Sequence, residues 1–383
     1  MRILIHMGDS YPNESPCAKR MRTFYEALIA AGHEVRVMAP ENPNGSVKDV
    51  IGVKTVPLGS KSSLNRLMNQ MSIGFNSVKA SKQFKNVDLV ITTSPPALIN
   101  FFGWIIAKRN HAKLIYDVRD IWPDVGWEMG SFKKTSLYSR IFEWNRNFML
   151  RHSNLVLAVS RGKVQKLKNY CLKADVVYIT NGLDEKFLEN KENSEVIDKF
   201  NLDKIFTCVY IGNLGLAQGL MQLLRIANKA KDMPIQFILF GSGVEESILK
   251  EYAAKNGLDK VIFPGRLPND DMLTVLKHSG MSFVSLVNEN LKDSVPTKLF
   301  EALGAGCPVL LAAAGESVEI LEESGLGIAV MPNDEEALWN AFLKIYQNKD
   351  EYDREAAKKV ILEKYSRQKA AEDMIKEITK RFE

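Results

Sequence analysis

The segment KDSVPTKLFEALGAGCPVLLA (292–312) holds the residues whose types and spacing best suit chemistry. Pro296 can occupy the first turn of a helix, which then carries Lys298 and Glu301 three positions apart on one face. A lysine near a helix start can neutralise a diphosphate, and a carboxylate one turn further on can accept hydrogen bonds from ribose hydroxyls. Asp293 stands eight positions before Glu301, so a loop acid precedes a helix acid. Taken alone, a Lys–Glu pair at this spacing is usually a surface ion pair. The loop acid and the glycine-rich exit favour a ligand site. A second concentration is YDVRDIWPD, which sets Asp117, Arg119, Asp120, Trp122 and Asp124 within eight residues. It reads either as a structural ion-pair network or, preferably, as a substrate-binding or catalytic cluster. Glycines follow two apolar runs: Gly212, Gly215 and Gly219 in YIGNLGLAQGL, then Gly241 and Gly243 in FGSGVEES. They let a backbone approach a ligand and aim helix-start N–H groups at an anion, although tight strand–helix turns use glycine anyway. Glu245 and Glu246 would complement a helix N-terminus with or without a phosphate.

All these groups sit where short β-branched runs end. Strands are predicted at 2–7, 34–39, 89–93, 113–118, 155–160 and 176–180, with helices at 18–31, 63–85, 97–109, 135–151 and 161–171. The alternation restarts with strands at 207–212, 236–241, 261–265, 281–286 and 308–313, separated by helices at 217–231, 245–256, 270–278 and 297–305. Strands alternating with helices of this length indicate βαβ units and parallel sheets. The polar stretch at 182–204 interrupts the pattern and reads as an inter-domain hinge. Two doubly wound domains in series is the architecture expected, and 383 residues suffice for both. In such sheets ligands bind beyond the carboxyl ends of the strands. That rule adds the loops GDSYPNESPCAKR, with Ser15, Pro16 and Cys17, and Ser94-Pro95-Pro96 to the search.

Composition narrows the partners. Forty-five per cent apolar, 25% charged and 9% aromatic is the balance of a soluble globular chain. No apolar run approaches the roughly 18 residues of a membrane span. The opening MRILIHMGDS reads as a strand, so no signal peptide is expected. Four scattered cysteines suggest neither a disulfide framework nor a zinc site, and a reduced, cytoplasmic setting is expected. Residues 1–180 carry 26 Lys/Arg against 13 Asp/Glu, a net +13, whereas the remainder carries 25 against 33, a net −8. The first half is thus suited to a polyanion. Between Asp49 and Asp88 there is no acid, yet Lys54, Lys61, Arg66, Lys79, Lys82 and Lys85 fall there. Leu64, Leu67, Met68, Met71, Phe75 and Val78 recur among them at helical spacing. This basic amphipathic helix is either a domain helix with a solvated edge or one lying on an anionic membrane surface. A second basic, aromatic stretch spans 131–152. No helix-turn-helix, RRM or finger signature accompanies the charge, so nucleic acid is not an expected partner.

With these motifs assembled, the chain resembles the retaining, nucleotide-sugar-dependent glycosyltransferases of the GT-B fold, family-4 type. Among them it is most similar to bacterial surface-polysaccharide enzymes, including amino-sugar (fucosamine-type) transferases. The matching pieces are SPCAKRMRTFYEALIAAGHEVRVMAP, TTSPP, YDVRDIWP, VYITNGLDEKF, YIGNLGLAQGL, FGSG and SVPTKLFEALGAGCPVL, whose order and spacing together are specific. The resemblance implies two Rossmann-like domains facing a central cleft. An acceptor-binding domain would span residues 1–181, completed by a C-terminal helix at 366–383 that crosses back to it. A nucleotide-sugar-binding domain would span 182–365. The implied reaction moves a sugar from a UDP-sugar to a polyprenyl-diphosphate-linked acceptor at the inner face of the membrane, without a metal or other cofactor. Glu301 looks like the second acid of the family's acid-x7-acid motif, expected at the ribose. Asp293 takes the first acid's place, where most members have glutamate. Many members set an arginine and a lysine after the first strand of the second domain; Asn213 and Gln218 stand there. Charge neutralisation would then fall to Lys298, aided by Arg266, with Gly212, Gly215, Gly241, Gly243, Val295, Pro296 and Leu299 completing the donor site. In the first domain, Asp120 is the candidate for the role that a histidine plays in many members, oriented by Arg119 or Asp117. Ser15, Pro16, Cys17 and Ser94 would line the same loops. The alternatives are a UDP-sugar 2-epimerase of the same fold and a non-catalytic sugar-nucleotide-binding protein.

Overall fold

The structure, a computed structural model, describes residues 1–13, 15–41, 47–57, 63–130 and 132–383. Lys61 and Ser131 of the basic stretches therefore lie outside the described residues. The first half runs β1 (Arg2–His6), α1 (Pro16–Ala30), β2 (Glu34–Pro40), β3 (Val50–Val53), α2 (Ser63–Ala80), β4 (Leu89–Ser94), α3 (Ile99–Arg109) and β5 (Lys113–Val118). It continues with α4 (Asp124–Glu128), α5 (Leu137–His152), β6 (Leu155–Ala158), α6 (Arg161–Tyr170) and β7 (Val176–Tyr178). The second half runs α7 (Ser194–Phe200), β8 (Phe206–Ile211), α8 (Met221–Lys229), β9 (Ile235–Phe240), α9 (Glu246–Lys255), β10 (Val261–Gly265), α10 (Met272–Lys277) and β11 (Met281–Ser285). It ends with α11 (Thr297–Gly304), β12 (Val309–Ala312), α12 (Glu316–Ser324), β13 (Gly327–Val330), α13 (Glu335–Gln347), α14 (Arg354–Tyr365) and α15 (Arg367–Phe382). Serine caps start α1, α5 and α6: Ser15, Ser136 and Ser160 accept the free N–H groups of Ala18, Ser139 and Lys163.

Contacts divide the chain into two units, residues 1–180 with 370–383 and residues 181–369. The first unit holds a seven-stranded sheet of order β3-β2-β1-β4-β5-β6-β7, and the second a six-stranded sheet of order β10-β9-β8-β11-β12-β13. Neighbouring strands in both sheets pair in parallel. Both faces of each sheet are buried, which is why the strands read as continuous apolar runs. In β8, Val209 packs on one face while Cys208 and Tyr210 pack on the other. In β1, Ile3 and Ile5 are set against Leu4 in the same way. Two doubly wound, Rossmann-like units are therefore present, as the alternation predicts.

Three features differ from the sequence expectation. The short β3 forms inside the acid-free stretch, where only a helix is predicted, and Ile51 and Val53 carry its buried face. The polar run at 182–204 is not a slack hinge. Leu183, Phe187, Val196 and Leu202 are buried in the second unit's core, and Asn193 caps α7. Four apolar side chains spaced through a charged stretch anchor it, although its composition reads as a linker. Beyond residue 313, α12, β13, α13 and α14 complete the second unit. The final helix, α15, buries Ala370, Met374 and Ile378 in the first unit's core beside Phe24 and Leu28, and Arg381 pairs with Asp175.

Candidate functional site

In the second sheet the strand order reverses between β8 and β11, and doubly wound sheets bind ligands at such a switch point. The turn after β8 lies against the turn after β9. Leu214 N donates to Ser242 O at 3.0 Å, and a Cβ on Gly241 would fall 1.8 Å from the Gly212 carbonyl oxygen. Gly212 and Gly241 also take φ values of 148° and 144°, which L side chains rarely adopt. A Cβ on Gly243 would meet Leu214 O at 2.1 Å, and one on Gly215 would meet the Asn213 amide. Gly241 and Gly243 are thus required by turn-to-turn packing, quite apart from any ligand.

Lys298, in the first turn of α11, reaches the same place. Its Nζ donates to Gln218 Oε1 at 2.5 Å and to Tyr210 Oη at 2.8 Å, and it lies 4.3 Å from the Tyr210 ring centre. The Tyr210 hydroxyl in turn donates to the Asn213 carbonyl at 2.7 Å. Burial pulls the Lys298 pKa down to about 7, opposed by the charge of Glu301. Arg266 is exposed and donates from Nε to Ser242 Oγ at 3.0 Å. Asp293, Val295, Pro296 and Glu301 are partly exposed around α11. Leu299 corrects the expectation: it is fully buried in the core, and its N–H donates to Pro296 O at 3.1 Å, so neither group faces the loop. Tyr210 is the residue that sequence reasoning missed. As one of several apolar positions in a strand it reads as core, yet its hydroxyl reaches the strand's carboxyl end.

In the first unit the order reverses between β1 and β4. Ser15 caps α1 and donates from Oγ to Asp9 Oδ2 at 2.9 Å, and Pro16 is exposed at the helix start. Cys17 and Ser94 are buried, and burial pushes the Cys17 thiol up to about 12, which makes it inert at neutral pH. The YDVRDIWPD segment divides in two. Asp117 is fully buried and held by Arg20, whose Nη2 lies 2.8 Å from Oδ1, and by Thr93 Oγ1 at 2.8 Å from Oδ2. Arg119 turns to Thr93 Oγ1 at 3.2 Å and to Pro95 O at 2.5 Å. Neither group orients Asp120, contrary to expectation, because each is engaged in holding β4, β5 and α1 together. Asp124 is likewise buried, between Arg146 at 2.5 Å and Tyr170 Oη at 2.5 Å. Asp120 alone stays open. Its carboxylate is 41% exposed, with the buried Lys163 ammonium 4.0 Å away.

The basic helix is partly buried and partly outward. α2, α3 and α5 pack side by side. α2 buries Ile73, Gly74 and Ser77, and a Cβ on Gly74 would fall 2.1 Å from the Phe102 ring. Leu64, Met68 and Phe75 remain exposed on α2, as do Leu137 (74%) and Trp144 (53%) on α5. Also exposed on these helices, on α3 and on their flanks are Arg66, Lys79, Lys82, Lys108, Arg109, Lys133, Lys134 and Arg140. Among the described residues, no helix is long and apolar enough to cross a membrane, and no group of three or more His, Cys, Asp or Glu is placed to hold a metal ion.

Comparison with known proteins agrees with this arrangement. Residues 18–187 match the family described as Glycosyltransferase Family 4, and residues 190–369 match Glycosyl transferases group 1. The chain is 25% identical over 372 residues to WcaI of Escherichia coli (strain K12), assigned as a colanic acid biosynthesis glycosyl transferase. That alignment covers 88% of this chain and 90% of WcaI. It is 24% identical over 269 residues to WbjE of Pseudomonas aeruginosa, assigned as a glycosyltransferase, covering 68% of this chain and 67% of WbjE. In fold it is similar to the crystal structure of Anabaena HepE in complex with UDP, with a TM-score of 0.76 at 16% identity, over 99% of this chain and 100% of HepE. HepE has also been solved with UDP-glucose. A family 4 domain at residues 18–187 followed by a group 1 domain at 190–369, on two parallel-sheet Rossmann-like units, places the chain among the glycosyltransferases of the GT-B fold.

Proposed function

We propose that the protein transfers a sugar, an N-acetylated amino sugar, from a UDP-sugar to a polyprenyl-diphosphate-linked acceptor in bacterial surface polysaccharide (O-antigen or capsule) synthesis, with retention of configuration. The observation that carries the donor half is the Lys298 ammonium at the β8/β11 switch point, hydrogen-bonded to neutral groups beside two glycine turns. The nucleotide complexes of HepE and the polysaccharide role assigned to WcaI support the same reading. The leaving diphosphate gains negative charge as the glycosidic bond breaks, so Lys298, aided by Arg266, acts most strongly in the transition state. Glu301 holds the ribose, while Asp293, with its short side chain, reaches toward the donor sugar. Asp120 serves the acceptor side, as base or as positioning group. Attack on the face that UDP leaves requires no enzyme nucleophile. With positive charge supplied by Lys298, a metal is not part of the proposal, and activity should survive EDTA.

A panel of UDP-sugars, assayed for slow hydrolysis without acceptor, tests the donor. Hydrolysis of one UDP-HexNAc above the others is the result expected. Interconversion of the donor without hydrolysis would point to the epimerase, and binding without turnover to a non-catalytic protein. Calorimetry with UDP separates the two motif acids: Glu301→Ala should weaken binding by about tenfold and Asp293→Ala by much less. Equal affinities would sink the ribose assignment. Asp120→Asn should abolish transfer and leave UDP binding intact. Normal transfer by that variant would return the whole segment to a structural role.

The outward apolar residues of α2 and α5, with exposed Lys and Arg on the same helices and their flanks, suit peripheral attachment to the inner face of the membrane, where a lipid-linked acceptor resides. Attraction to an anionic leaflet contributes roughly 1 kcal/mol per basic residue near the surface. Flotation with anionic vesicles at low salt should carry the protein up; high salt or neutral vesicles should release it. Absence of binding to anionic vesicles at low salt would favour a soluble acceptor.

A further inference from the structure

Lys298 is a cation held by uncharged partners. Its Nζ donates to Tyr210 Oη and Gln218 Oε1, and the nearest anionic influence is Glu301 on its own helix. The Tyr210 hydroxyl has one proton, and the 2.7 Å bond to Asn213 O takes it, so toward Lys298 this oxygen acts as acceptor. The same bond ties the ammonium to the backbone of the turn. Gly212 leaves room for the group: a Cβ there would meet Nζ at 3.3 Å and Tyr210 Oη at 3.3 Å. Glu245, just before α9, adds a negative influence on Tyr210, and burial raises the pKa of both residues.

We infer that Tyr210 and Gln218 are positioning residues for the Lys298 ammonium, holding it over the Gly212 turn so that a nucleoside diphosphate becomes its counter-anion and draws a proton into the site on binding. This rests on the reading of Lys298 as a diphosphate-binding residue. A neutral lysine amine has two N–H groups, and two acceptors are in place. Protonation from solvent uses the Nζ lone pair and creates a third N–H, which is the one available to a phosphate oxygen. With the pKa of the free site near 7, the amine is substantially neutral above that pH, and an arriving diphosphate raises it again. The complex then binds more protons than the free protein, so affinity falls as pH rises above 7.

Calorimetric titration of the full chain with UDP, and separately with inorganic pyrophosphate, tests this from pH 6 to 8.5 in buffers of different ionisation enthalpy. Lys298→Ala, titrated alongside, reports the ligand's own protonation. The wild type should lose up to about tenfold in affinity per pH unit above 7 and show buffer-dependent heat, both beyond the ligand's own contribution that Lys298→Ala reports. Tyr210→Phe and Gln218→Leu should each bind about tenfold more weakly at pH 8, with the decline beginning at lower pH, because one acceptor for the ammonium is gone. Gln218→Glu should hold the lysine protonated, removing the pH dependence while weakening binding throughout. A wild type that binds neither ligand, or a Lys298→Ala that binds as tightly as wild type, overturns the diphosphate reading and this inference with it. Weakened Lys298→Ala alongside Tyr210→Phe and Gln218→Leu with the wild-type affinity and pH profile overturns the positioning role alone.

Discussion

Lys298→Ala is expected to lower the turnover of a UDP-sugar by roughly 100- to 1000-fold, the usual consequence of removing one preorganised charge-stabilising donor. Turnover should suffer more than ground-state affinity for the UDP-sugar, since the diphosphate carries more charge when leaving than when esterified. Stability should move the other way. The ammonium's pKa is pulled from 10.5 to about 7, so the fold is penalised progressively as pH drops from above 10 toward 7. Lys298→Met keeps the aliphatic packing and removes that penalty, and its Tm at pH 7 should equal or exceed that of the wild type. Such opposition between stability and activity is characteristic of a functional group. Steady-state UDP release together with a thermal melt reads both. Unchanged turnover in a folded variant would transfer the phosphate-binding role to Arg266 or to the backbone amides of the turns.

Asp117→Ala is expected to destabilise the first unit by about 3–5 kcal/mol, because it leaves the Arg20 guanidinium buried without its anion. Arg20 also donates to Thr180 O at 2.6 Å and to Ile179 O at 3.0 Å, so it ties α1 to the chain leaving β7. For a unit of this size the loss should lower Tm by roughly 6–20 °C. The paired replacement Arg20→Met with Asp117→Leu removes both charges, and much of the loss should be recovered. UDP affinity at moderate temperature should be untouched in either protein, since these residues belong to the first unit and the nucleotide loops to the second. A folded Asp117→Ala protein with wild-type Tm and impaired transfer would instead place this carboxylate in the reaction.

That pair also shows why the acidic cluster was legible only as a cluster. Asp117, Asp120 and Asp124 are close in sequence and equal in chemistry, and their fates are set by partners far along the chain. Asp117 meets Arg20 across 97 positions, and Asp124 meets Tyr170 across 46. No local spacing carries that information. Lys163 beside Asp120, and Tyr210 beneath Lys298, are long-range neighbours of the same kind. The run at 182–204 misled through composition, since four buried side chains suffice to dock a segment that is otherwise charged.

The amino-acid sequence by itself determined the alternation of buried strands and amphipathic helices, and with it two doubly wound units whose strand ends carry the glycine turns. Period and residue type are local properties, and both faces of each strand are apolar because helices cover both. The sequence likewise determined that Lys298 and Glu301 share a helix start after a loop acid, since helical spacing alone brings them together. Only the tertiary structure decided which charges are structural and which remain open. A charge is exposed or paired according to what the rest of the chain packs against it. Burial and long-range partners therefore committed Asp117 and Asp124 to the fold, left Asp120 accessible, and set Lys298 between a tyrosine and a glutamine.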